Sequence, residues 1–159
     1  MPERWVVNAS PLIALGSIGR LDLLTSLADE VVIPEIVAEE LLRVADEAAL
    51  AFSRSPLRRE SVNAEGSVNR WRLGPGETAV LSFAKLNTGF VAILDDLAAR
   101  RCAKAHGIHT RGTVGVTLLA KSRGIVRSAR PILEELRAAG FYLSQELMTY
   151  ALSLAGEGD

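Results

Sequence analysis

The chain has 159 residues, 48% of them hydrophobic and 23% charged, with a net charge of −1. That length fits one domain with a substantial core. No apolar run approaches the roughly 18–20 residues of a membrane-spanning helix, and no basic segment followed by a long apolar run opens the sequence, so a cytoplasmic protein is expected. "WVV" (residues 5–7) reads as strand one, after which Ser10 is placed to N-cap a helix with Pro11 at its first position. "RLDLLTSLA" reads as a second short helix, "EVVI" as strand two, and Pro34 starts a third helix through about Val44. Residues 46–72 are harder to assign, with one short strand or mostly loop in "ESVNAEGSVNRWRL". "GPGE" introduces a helix from about Glu77 to Leu86, closed by "NTG". "FVAIL" is strand three, "DLAARRCAKAHG" a helix, "IHT" a brief strand four and "TVGVTLLAKSRG" another helix. "RPILEELRAAG" and "SQELMTYALSLAG" are two further amphipathic helices.

Short apolar strands alternating with helices predict an α/β fold, a mostly parallel sheet of four to five strands with helices on both faces. Residues 1–127 form the expected α/β domain, and residues 128–159 a helical extension packed on it. The single cysteine, Cys102, excludes an internal disulfide and a Cys-rich zinc site, and its position in a helix makes it a packing residue. His106 at a helix end and His109 in a short strand have no triad or zinc spacing around them and read as structural.

The informative carboxylates are those that interrupt an apolar stripe. Glu77, Val80, Leu81 and Ala84 follow helical spacing on one face, whereas Thr78, Ser82 and Lys85 form a polar one. Glu77 therefore points toward the core, in a first turn where the helix dipole also favours it. In "PEIVAEELLRVA", Val37, Leu41 and Val44 make the buried stripe; Glu40 lies within that face and Glu39 on the opposite one with Arg43. Asp95 and Asp96 follow directly on an apolar strand, and one of them is placed to N-cap the next helix.

Helices in βαβ units run antiparallel to their strands, so helix starts lie near strand ends. Asn8 and Asp95/Asp96 at strand ends, and Glu77 at a helix start, should share one edge of the sheet, with Glu40 reaching it from slightly deeper. Ligands bind at that edge in open parallel sheets. A cluster of carboxylates needs a cation or protonation to persist, and Mg²⁺ or Mn²⁺ suits an all-oxygen set. The chemistry that uses such a set is phosphoryl transfer.

"VVNASPLIALGSIGRLDLL", "EVVIPEIVAEEL", "LGPGETAVLSFA", "VAILDDLAARRCAKAHGI" and "GTVGVTLLAKSRGIV" together resemble the PIN domain, and "RPILEELRAAGFYLSQEL" resembles the C-terminal stretch of a prokaryotic subfamily. The resemblance implies a twisted parallel sheet between helix layers, a Mg²⁺ or Mn²⁺ site and cleavage of RNA phosphodiesters. It places the family's acidic positions on Asn8, Glu40 (or Glu39), Glu77 and Asp96 (or Asp95), with Ser10 and Thr113 in support. It departs from the family at Asn8, an uncharged amide where an aspartate is usual, and near Gly112-Thr113, where some relatives carry one more acidic residue. Weaker metal affinity is the consequence expected.

Charge is unevenly spread: residues 51–130 hold 14 basic and 5 acidic side chains, whereas residues 1–50 hold 3 and 9. A basic middle offers a phosphate-binding surface, and Arg100, Arg101, Lys104 and Arg111 flank the predicted acidic edge. The expected function is a metal-dependent endoribonuclease, the toxin of a toxin–antitoxin pair, with RNA and a small antitoxin as partners and a homodimer as its state. The alternatives are a PIN-like binding protein that has lost the chemistry and, more weakly, a different Mg²⁺ phosphohydrolase on a similar sheet. Leu147, Tyr150, Ala151 and Leu154 form an apolar face suited to a dimer interface or to closing the monomer core.

Overall fold

Trp5, Val6 and Val7 have no solvent exposure because β1 (Glu3–Val7) is the middle strand of the sheet. It pairs in parallel with β2 (Ala28–Pro34) on one side and β4 (Phe90–Ile93) on the other, so that Val6 stands opposite both Val32 and Ala92. β3 (Arg58–Glu60) extends the sheet beyond β2, and β5 (Thr110–Arg111) beyond β4. The result is a five-stranded, all-parallel sheet in the order β3-β2-β1-β4-β5, flanked by helices as a three-layer α/β/α fold. The computed structural model describes residues 3–44 and 46–158; Met1, Pro2, Ala45 and Asp159, which fall within the two expected regions, lie outside it.

The helices follow in chain order: α1 (Ala9–Ser17), α2 (Asp22–Leu27), α3 (Glu35–Arg43), α4 (Glu47–Ser53), α5 (Gly66–Asn69), α6 (Pro75–Leu86), α7 (Leu97–Ala105), α8 (Thr113–Ser122), α9 (Arg130–Ala138) and α10 (Gln145–Leu154). Three details correct the sequence expectations. Asn8, not Ser10, occupies the N-cap of α1, so Pro11 is the third helical residue, where its missing N–H is still one the helix has no use for. The Ser10 hydroxyl instead donates to Asp95, a charged and therefore stronger acceptor. Thr78 and Ser82 are buried: the Ser82 hydroxyl accepts the Glu65 N–H at 2.8 Å, so the segment before α5 covers the polar side of α6. Val44 is 54% exposed, because α3 ends at Arg43 and its buried residues are Val37, Ala38 and Leu41.

The ambiguous segment contains α4, β3 and α5. Asp46 starts α4 by accepting the Ala49 N–H at 3.0 Å, and Ala48, Ala49 and Phe52 face the core. α4 packs closely on α1 because Gly16 has no side chain; a Cβ there would lie 3.1 Å from the Ala48 backbone. α9 and α10 are part of the same core through Leu133, Leu136, Met148 and Leu152. Their anchor is Glu157, whose carboxylate accepts the Ala129 and Arg130 N–H groups at 2.7 and 3.1 Å and pairs with Lys121 of α8 at 2.9 Å. Burial pushes that carboxyl up, but these bonds and one from Ser128 outweigh it and hold it at about 2.

Candidate functional site

β2 and β3 lie to one side of β1, β4 and β5 to the other, so the chain leaving β1 and the chain leaving β4 diverge at neighbouring strand ends. Such a reversal of strand order opens a crevice at the carboxyl edge of a parallel sheet. Asn8 leaves β1 and donates its N–H to the Ile93 carbonyl at 2.9 Å, while Asp95 and Asp96 leave β4. A cleft of about 940 Å³ opens there, and Asn8, Glu40, Glu77, Asp95 and Asp96 all line it. Glu40 is on its wall and Glu39 is not.

Asn8 is 3% exposed, and its Oδ1 is buried with no hydrogen-bond partner among the described residues. Buried acceptors are nearly always satisfied, so an orphaned one marks a place where a donor or a cation belongs. Gly76, in the first turn of α6, explains how the atom stays open. A Cβ on Gly76 would lie 2.9 Å from Asn8 Oδ1 and 3.0 Å from Glu40 Oε2. The amide of α1's cap and the carboxylate of α3 therefore both pack against Gly76, at a place where any side chain would displace one of them. Glu40 is on an exposed helix position, and its long side chain brings the carboxylate inward.

The other carboxylates divide by their partners. Asp95 accepts three hydrogen bonds: from the Ser10 hydroxyl at 2.9 Å, and from the Thr113 N–H and hydroxyl at 2.7 Å each. It joins the start of α8 to α1 across the cleft, and a carboxylate at a helix N-terminus is electrostatically favoured. Thr113 is fully buried beneath it. Asp96 N-caps α7, with Oδ2 accepting the Ala99 N–H at 2.9 Å, and Oδ1 accepts no hydrogen bond among the described residues. Glu77 is half-buried and curls over the N-cap of its own helix, where a Cβ on Gly74 would lie 2.6 Å from its Oε2.

Of the four basic residues expected near this edge, Arg100 and Arg111 reach the cleft wall; Arg101 and Lys104 are exposed on α7 away from it. Arg111 is committed to Glu3 in a two-pronged pair at 3.0 and 2.7 Å. Arg100 forms no ion pair among the described residues, and its Nη1 stands 3.1 Å from where a Cβ on Gly112 would lie. It is the cationic group most available to an anion in the cleft. The sequence reading missed the opposite wall, formed by α9, α10 and their connection: Leu136, Phe141, Tyr142 and Leu147 line the same cleft as the carboxylates. Of these, the sequence reading singled out only Leu147, as one residue of an apolar face on α10. The nearest available signal was the aromatic pair after Gly140 in an otherwise aromatic-poor chain.

Among the described residues, no three Asp, Glu, His or Cys side chains are arranged to hold a metal ion by themselves. The oxygens that pack against Gly76, Asn8 Oδ1 and Glu40 Oε2, are hard donors of the kind that Mg²⁺ and Mn²⁺ take. They fit such an ion as a low-charge pair that leaves the remainder of the shell to water or phosphate.

A parallel sheet with an oxygen-lined crevice at its strand-order reversal defines an α/β protein whose site lies at the strand ends. The sequence matches the model of a PIN domain family, DUF3368, over residues 4–157. The chain belongs to the PIN domain family, a nuclease-type fold. The search of curated proteins finds no match to it.

Proposed function

We propose that this PIN domain is a metal-dependent endoribonuclease that hydrolyses RNA phosphodiesters in the cleft between β1 and β4. The observation that carries the reading is the buried Asn8 Oδ1, without a hydrogen-bond partner among the described residues, in a cleft wall that it shares with Glu40, Glu77, Asp95 and Asp96. Asn8 and Glu40 would hold Mg²⁺ or Mn²⁺, with Glu77 and the open Oδ1 of Asp96 completing the acidic wall. When bound, such an ion supplies Lewis-acid activation of water and screens phosphate charge. Arg100 binds the substrate phosphate, and Asp95 fixes the spacing of α1 and α8 through Ser10 and Thr113. Glu77 orients water at the reacting phosphate. Arg101 and Lys104 extend the phosphate path outside the cleft. The biological setting is a toxin paired with a small antitoxin protein, in the cytoplasm and as a homodimer; among the described residues no helix is long and apolar enough to cross a membrane.

The test is cleavage of single-stranded RNA with Mn²⁺, abolished by Glu77→Gln and by Asp96→Asn in proteins that remain folded. Activity persisting in both removes this assignment. One observation favours a second reading, a PIN-like protein that binds RNA or a partner without turnover. Asn8 supplies no charge, and among the described residues no carboxylate trio is preassembled. That reading predicts tight binding insensitive to the same two substitutions.

A further inference from the structure

The carboxylates account for one wall of the cleft only. A phosphodiester is small and wholly polar, yet the cavity of about 940 Å³ continues from Arg100 onto an apolar surface of Ile13, Val114, Leu136, Phe141, Tyr142 and Leu147. Phe141 is partly buried and packs on the core, which fixes the wall in place. Tyr142 beside it is 86% exposed, the most exposed of the large hydrophobic side chains, and its ring stacks on no other aromatic among the described residues. The turn that presents the pair runs through Gly140 at φ +104°, a backbone conformation that disfavours any side chain, although space there is free. The glycine is thus required by the direction of the chain and not by crowding.

We propose that Phe141 and Tyr142 form a nucleobase subsite, which stacks a base of single-stranded RNA next to the phosphodiester held at the acidic wall. The proposal rests on the nuclease reading and names what the substrate must carry. A ligand that spans the whole cleft needs an anionic centre near Arg100 and a flat, weakly polar ring within reach of the tyrosine. A nucleotide has both, joined through a short sugar. Stacking on an aromatic side chain tolerates every base, because each has a π-face, so the subsite adds affinity with little sequence preference. The C-terminal helices, in this view, are a substrate-binding element of the site.

The experiment measures binding of a fluorescein-labelled short oligoadenylate by anisotropy, with Ca²⁺ in place of Mn²⁺ to suppress turnover, beside cleavage measured with Mn²⁺. Tyr142→Ala should weaken binding about five-fold or more. Tyr142→Phe, which keeps the ring, should restore most of that loss. An abasic strand of the same length should bind weakly and indifferently to either change. If the unaltered protein binds and cleaves RNA but Tyr142→Ala leaves affinity unchanged, the subsite is overturned and the nuclease reading stands. If the unaltered protein neither binds the oligonucleotide nor cleaves RNA, both fall together. If Tyr142→Ala changes the sedimenting mass of the protein and not its RNA affinity, the wall is a protein interface and the subsite is overturned.

Discussion

Asn8 Oδ1 and Glu40 Oε2 approach the same point, 2.9 and 3.0 Å from the place a Cβ would occupy on Gly76. This relationship makes the glycine a direct probe of the site. Gly76→Ala sets a methyl group too close to the buried amide, which has no room to retreat, while Glu40 can swing toward solvent. The methyl thereby displaces one of the two oxygens that would hold a cation. Mn²⁺ affinity measured by calorimetry should fall at least about ten-fold, a loss of roughly 1.4 kcal/mol. The fold should lose about 1–3 kcal/mol, because the better helix propensity of alanine does not offset the close contact with the buried amide. Unchanged affinity would place the ion elsewhere in the cleft.

Asn8→Asp probes the missing charge. A second carboxylate at a position only 3% exposed, facing Glu40, is costly without a counter-charge. The metal-free variant should therefore be less stable than the unaltered protein by roughly 1–3 kcal/mol. Saturating Mn²⁺ should reverse that deficit, because ligand charge raises divalent-ion affinity. Thermal melts with and without Mn²⁺ provide the check. Equal metal-induced shifts in the two proteins would show that Asn8 does not touch the ion.

Asp95 and Asp96 should separate by what their removal costs. Asp95 accepts three hydrogen bonds that join α1, α8 and the end of β4, two of them from the fully buried Thr113. Asp95→Ala leaves those donors unpaired and should cost about 2–4 kcal/mol. Asp96→Ala removes one N-cap bond to Ala99 and should cost about 1 kcal/mol. Denaturant unfolding measures both. In activity the order should reverse: on the proposed nuclease reading, a folded Asp96→Ala protein should be inactive through loss of a carboxylate from the acidic wall and not through loss of structure.

The strands were legible because a buried parallel strand is a short apolar run between breakers, and Trp5–Val7, Val31–Ile33 and Phe90–Ile93 all have that form. Helical spacing put Glu40 and not Glu39 on the inward face, yet both positions are exposed, and Glu40 reaches the cleft wall only through the length of its side chain. The ambiguous segment hid α4 because its signal is an aspartate cap and a run of alanines, which helix and loop share. The cap of α1 was misplaced on Ser10 because its hydroxyl's partner lies 85 residues away, and no local pattern announces Asp95. Arg111 was read as a phosphate ligand for the same reason; its partner Glu3 lies at the other end of the sheet's central strand. The apolar wall of the cleft was invisible in its role, because the sequence gives no sign that the turn after α9 returns to β1's end.

Glu3 also predicts how the protein responds to acid. Hydrogen bonds from Arg111 hold its carboxyl at about 2, against the upward push of burial, with Trp5 and Arg123 contributing. Its ordinary value is 4.5, so the folded state binds this proton less readily than the unfolded chain. The stabilisation is complete above about pH 4.5 and is lost as pH falls toward 2. Glu65 and Glu157 are lowered to about 2 as well, so the unaltered protein should lose stability steeply over the same interval. Glu3→Gln deprives Arg111 and Arg123 of their carboxylate. At pH 7 it should cost on the order of 1 kcal/mol, kept low because both guanidinium groups are 33% exposed and solvent screens them. The difference between variant and parent should shrink as the parent's glutamate protonates and vanish near pH 2. Urea midpoints measured from pH 7 down to 3 give the comparison, and parallel curves across that range would show that the pair carries no pH-linked stability.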